Sequence, residues 1–135
     1  MKKILFHSGT SPLLTGFGVL LLRLLFGFGM AFGHGWGKLM SFSDKMDSFP
    51  DPLRIGSAAS LAGAVFAEVV CGILVGLGLF TRLALVPLIF TMAIAVFVVH
   101  GNDPFSGKEM ALLYLVPYVV LFLTGPGKYS TDHNI

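Results

Sequence analysis

A chain of 135 residues that is 55% apolar and only 12% charged, with a mean hydropathy of +0.84, is far from the composition of a soluble domain and reads as one membrane domain over residues 1–135. Its formal net charge of +2 is too small, and its basic residues too scattered, to suggest a nucleic-acid partner. The single cysteine, Cys71, excludes an intramolecular disulfide, a CxxC redox pair and a thiolate-rich metal site.

A helix crosses the hydrocarbon core in about 20 residues, and by that measure the chain predicts an all-α transmembrane four-helix bundle. The first span runs from Pro12 to Gly33, with Pro12 placed to open it. Lys2 and Lys3 precede it as they would in a signal peptide. Arg23 inside the run, and "HGWGK" after it without a small-residue cleavage site, mark it instead as a retained span. The segment "SFSDKMDSFPDPLRIG" follows, rich in Ser, Asp and Pro, and reads as an external loop with one short helical turn. Further spans are predicted over Ser57–Leu79, Leu83–Val99 and Lys108–Thr124, joined tightly by "GLFTR" and "HGNDPFSGK". Pro87 and Pro117 fall inside the last two spans, where a bundle tolerates the kink.

Both termini then lie on one side. Lys2, Lys3, Arg82 and Lys128 gather there, and Lys38, Lys45, Arg54 and Lys108 gather opposite, a tie under the positive-inside rule. Setting Lys38 aside as a pocket residue tips the expectation to cytoplasmic termini.

An ionisable residue at the bilayer centre costs about 2.5–3.5 kcal/mol even on the lenient insertion scale. Arg23 and Glu68 fall at the middle of the first two predicted spans, which run antiparallel, so an Arg23–Glu68 ion pair is expected. That pair would either lock the two helices or take part in chemistry. Around Glu68, the residues Ser60, Ala64, Gly72 and Gly76 form a small-residue stripe suited to close packing. In the first span Arg23, Gly27, Met30, His34 and Lys38 share one face, with roughly 16 Å of rise between Arg23 and His34.

That topology gathers His34, Lys38, His100 and Glu109 at one membrane face. Two histidines, an ammonium and a carboxylate suit proton exchange, because His titrates near neutrality and a carboxylate holds its tautomer. Each alone also fits an interfacial residue reaching for water. Trp36 reads as part of an aromatic belt, and Tyr114 and Tyr118 as core or belt.

The stretches "LLRLLFGFGMAFGHGWGKLMSF", "AEVVCGILVGLGLFTRLAL", "VVHGNDPFSGKEMALLYL" and "LTGPGKYSTD" together resemble the DoxX family of small four-span membrane proteins over nearly the whole chain. The matching positions are Arg23, His34-Gly35 with Lys38, Glu68 with Gly72, Gly78 with Thr81-Arg82, His100, Glu109 and the closing Gly125-Pro126-Gly127-Lys128-Tyr129-Ser130 with Asp132; Lys128 stands where Arg is often found. The family name comes from proteins associated with thiosulfate:quinone oxidoreductases and quinol-oxidase complexes, and other members are described as partners of thiol-oxidative-stress proteins. The resemblance therefore implies a quinone-linked membrane oxidoreductase subunit, or a membrane partner of redox proteins, in a bacterial plasma (inner) membrane. In that reading His34 and His100 meet the quinone carbonyls or donate protons, Glu68 and Glu109 relay protons, and Arg23 and Lys38 stabilise charge. No metal or haem is expected.

Other readings stay open on the residues. A non-enzymatic scaffold would use the same polar network only to specify the bundle, and the sequence carries no second Cys, dinucleotide fingerprint or CxxCH to supply electrons. His34 and His100 as axial haem ligands, or a small-solute transporter that oligomerises, are further alternatives.

Overall fold

The computed structural model describes residues 11–135; Lys2 and Lys3, and the charge count that rests on them, lie outside the described residues. Those described form only helices and connections. Four helices are long and apolar enough to cross a membrane: α1 (Pro12–Met40), α3 (Ser57–Leu77), α4 (Thr81–Val99) and α5 (Phe105–Thr124). The one-turn helix α2 (Phe42–Lys45) sits in the loop after α1, as the composition of that loop suggests, and a 3-10 turn at Asp132–Asn134 follows α5. Outward faces carry large apolar side chains such as Leu21, Leu25, Phe97 and Leu123, as a lipid-facing bundle requires. The interior is built on Met30, Leu61, Val75, Leu85, Leu88, Tyr118 and Leu121.

Local chemistry explains where the helices stop. Pro12 occupies the first turn of α1, where its missing N–H costs nothing. At the end of α3, Gly78 takes a left-handed conformation (φ 71°), its N–H bonds the Val75 carbonyl at 3.0 Å and the Leu79 N–H bonds the Leu74 carbonyl at 2.9 Å. This is the Schellman arrangement, which satisfies the last carbonyls of a helix. The C-terminus of α5 receives Arg82 instead, whose Nε donates to the Phe122 carbonyl at 3.0 Å.

The helix boundaries correct the expected register. The first helix does not end at Gly33 but runs on to Met40, so the part of it that faces α3 is its second half. Gly27 meets Gly72 and Gly76, and Gly35 meets Glu68 and Val69. A methyl group built on Gly27 would lie 2.5 Å from the Gly76 nitrogen, and one on Gly35 would lie 2.8 Å from the Glu68 Cβ. These contacts allow the two backbones to approach closely, the way helices associate where lipid offers no hydrophobic drive. Both helices widen into π-helical turns at this contact, over Leu24–Phe28 and Ala31–Gly35 in α1 and Phe66–Cys71 in α3, a deformation often found near functional sites.

Arg23 consequently lies level with the α3–α4 turn, packed beside Gly78 and Ser130, and not level with Glu68. The expected Arg23–Glu68 pair is absent. Arg23 is buried and donates from Nη2 to the Tyr129 carbonyl at 2.6 Å. The closing segment folds back to provide that acceptor: Tyr129 packs on Phe17 with ring centroids 5.4 Å apart, and Ser130 is buried.

Candidate functional site

A cavity of about 430 Å³ opens among α1, α3, α4, α5 and the loop before α3. Its lining includes His34 and Lys38 from α1, Glu68 from α3, and His100 just after α4. The rest of its wall is mostly apolar.

The polar centre is a bidentate ion pair. Lys38 Nζ lies 2.6 Å from Glu68 Oε1 and 2.8 Å from Oε2. The Glu68 side chain is 1% exposed and that of Lys38 29% exposed. The carboxylate is therefore sequestered, whereas the lysine stem reaches it from the cavity side. The expected neutralisation of Glu68 by a cation on α1 is met, but by a different cation. Gly35, not Arg23, lies at the level of Glu68, and Lys38, one turn further along the longer α1, reaches back to the carboxylate.

His34 stands beside this pair on the same face of α1. Its ring meets Tyr114 edge-on at a centroid distance of 5.4 Å. Tyr114 continues to Tyr118 and Phe26, and the Tyr118 hydroxyl donates to the Phe26 carbonyl at 2.8 Å. Both tyrosines thus serve packing between α1 and α5, one of the two roles the sequence suggested. His100 lies at the aqueous end of the cavity, its Nδ1 2.8 Å from Asp103 Oδ2. Asp103, not Glu109, is the carboxylate that orients this histidine. Glu109 is exposed and does not line the cavity, because it lies one turn into α5 on the outward side. Trp36 is also exposed, consistent with a belt position. Arg23 is remote from the cavity, at the opposite end of the bundle.

Two further carboxylates organise the ends of the molecule: Asp51, which sequence reasoning missed, and Asp132, which it named only as a position of the closing motif. Asp51 accepts from the backbone N–H groups of Ile55 (2.9 Å) and Gly56 (2.8 Å) and from the Ser60 hydroxyl (2.8 Å). It thereby ties the loop that roofs the cavity to the first turn of α3. Desolvation alone would raise its pKa, but these donors outweigh it and hold the carboxyl below the usual range. At the other end Asp132 accepts from the N–H groups of Phe80 (2.8 Å) and Thr81 (2.9 Å), capping α4 from some fifty residues away. Phe80 is itself left-handed (φ 48°), a conformation that costs a bulky residue energy and that this cap helps to hold. Burial would raise the Asp132 carboxyl, yet the two N–H donors and the nearby Arg23 charge bring it below its ordinary value. The available signals were the Asp-Pro turn before α3 for Asp51 and the closing "GPGKYSTD" segment for Asp132; neither reveals its partners except in three dimensions.

Among the described residues no group of three or more His, Cys, Asp or Glu side chains is arranged to hold a metal ion. Cys71 is free and buried.

The chain is 33% identical to an uncharacterized membrane protein of Mycobacterium tuberculosis over 87% of this chain and 80% of the relative. It is 34% identical to an uncharacterized protein of Haemophilus influenzae over 75% of this chain and 78% of that one. No solved structure matches the chain. The DoxX family profile matches residues 18–101, which include Arg23, the Lys38–Glu68 pair and both cavity histidines, and the chain belongs to the DoxX family.

Proposed function

We propose that this DoxX protein is a quinone-linked redox module of a bacterial plasma membrane, with its termini cytoplasmic. The observation that carries the reading is the Lys38–Glu68 pair set into the wall of a largely apolar cavity that His34 and His100 also line. A quinone headgroup is a flat apolar ring with two carbonyl acceptors, and such sites are mostly apolar with a few placed polar groups. Lys38 has three N–H donors, two of which reach Glu68, so one remains for a carbonyl. His34 supplies a second donor. When bound, a quinone provides a carrier for two electrons and two protons. The chain's own residues hold and move the protons: Asp103 orients His100 at the aqueous end, and His34 and the Lys38–Glu68 pair lie further in. Electrons come from a partner redox protein, since Cys71 has no second thiol to pair with. Glu109 and Arg23, at their observed positions, take no part.

A second reading has one observation in its favour. Both Glu68 oxygens are already satisfied by Lys38, as in a pair that only specifies helix register in a membrane scaffold. Lipid extracts of gently purified protein distinguish the two. Stoichiometric quinone by mass spectrometry, lost in a folded His34→Ala variant, is the expected result. Quinone-free native protein with an intact fold favours the scaffold.

A further inference from the structure

We propose that the cavity takes its ligand sideways from the bilayer, through a cleft between the first half of α3 and the second half of α4, and that the ligand is an amphiphile whose apolar tail lies in that cleft. This rests on the reading above for the identity of the headgroup, but the cleft is an independent feature.

The two helices meet tightly near the Gly78 turn and separate away from it. Small residues of α3, Ala59 and Gly63, line the cavity and are exposed at the same time, as is Phe90 of α4. The cavity wall therefore reaches the surface there. A methyl group built on Gly63 would meet nothing within 4 Å, whereas one on Gly72 would meet the Gly27 carbonyl at 2.8 Å. Small residues of one helix thus have two uses: Gly72 and Gly76 pack against α1, and Ala59 and Gly63, on the neighbouring row, leave the cavity wall open.

The depth of this opening selects its partner phase. Phe90 is central in α4, about 14 Å of helix rise from either end of Thr81–Val99. An opening at that level faces hydrocarbon, not water. The aqueous end is covered by Phe49, Pro50, Pro52, Leu53 and Ile55, an apolar roof pinned by Asp51. Lys38 and Glu68 lie at the inner end of the same space. The gradient from apolar mouth to charged interior matches a molecule with a polar head and a chain that stays in the lipid phase, and disfavours a small water-soluble ligand.

The test uses the full chain in lipid nanodiscs containing a phospholipid with a photoreactive diazirine in its acyl chain. Illumination is expected to label the interior positions Ala67 and Met92, and Gly63→Trp, which fills the mouth where nothing is displaced, is expected to cut that labelling at least tenfold while leaving labelling of outward Leu25 and Leu123 unchanged. Native protein whose interior is not labelled overturns the proposal, as would be the case if a second copy or a partner helix closes the cleft. Equal interior labelling in the variant overturns it too. In parallel, a benzoquinone with a ten-carbon tail is expected to lose affinity for Gly63→Trp about tenfold, and the tail-less compound is not. If neither quinone binds native protein while interior labelling persists, the quinone reading fails and lateral access for another amphiphile stands.

Discussion

Two cations on the inward face of α1, about four turns apart, the one buried and the other half-buried, are handled in opposite ways. Arg23 is enclosed by the α3–α4 turn and the returning C-terminal segment, and its one acceptor is the Tyr129 carbonyl. Its Nε and Nη1 have no hydrogen-bond partner among the described residues. Lys38 instead ends in a carboxylate at the edge of a cavity. The first end of the bundle is closed by packing and by backbone caps; the second is splayed, roofed by a loop and lined by His34, Lys38, Glu68 and His100. A buried cation is therefore not a functional marker by itself. Its meaning depends on whether its surroundings leave room for something else.

The largest effect is expected at the open end. Lys38→Ala strands the Glu68 carboxylate in a site where it is 1% exposed, and breaking a buried pair in this way costs about 3–5 kcal/mol. Glu68→Ala should cost less, because the Lys38 stem can turn its head toward water. The double variant should recover part of the Lys38→Ala loss, whereas adding Arg23→Ala to Lys38→Ala should not. Thermal unfolding in detergent measures all four, and equal recovery by Arg23→Ala would undo the pairing described here.

Next in size is a contrast between glycines. Gly27→Ala forces a methyl group onto the Gly76 backbone and should cost about 1–3 kcal/mol as overpacking, while Gly63→Ala, with open space beside it, should stay within about 0.5 kcal/mol. Similar losses at both sites would mean that the cleft is closed in the membrane.

At the closed end, Asp132→Ala removes the cap on α4 and should cost about 1 kcal/mol. Its pH dependence has a definite sign. The folded carboxyl titrates below its ordinary value, so the unfolded chain binds the proton more readily. The stabilisation is complete above about pH 4, the unfolded value, and is lost as pH falls through the depressed folded one. Amide exchange at Phe80 and Thr81 should accelerate in acid for the native chain, and already be fast at neutral pH in the variant. The smallest effect is expected for Asp103→Asn, an exposed partner of His100, at about 0.5 kcal/mol or less on stability.

Much of this architecture follows from the order of the residues alone. Twenty-residue apolar runs broken by Pro, Gly and Asp specify four helices in a membrane, because unsatisfied backbone polar groups are too costly in lipid for other arrangements. The stripe Gly72–Gly76 and the inward face from Arg23 to Lys38 were likewise legible, since a helix repeats its faces at a fixed period. Tertiary structure decided which charges meet. The end of α1 is written weakly in "HGWGKLMSF", where glycines would ordinarily stop a helix but here let Gly35 press against Glu68. Packing sets Gly35 at the level of Glu68, and the long Lys38 side chain, on the added end of the helix, replaces Arg23 as the partner of Glu68. The caps from Asp51 and Asp132, the pairing of His100 with Asp103 rather than Glu109, and the splay of α3 from α4 depend on contacts or packing that a local pattern does not encode, because hydrogen bonds and steric fit act on distance in space and not on distance along the chain.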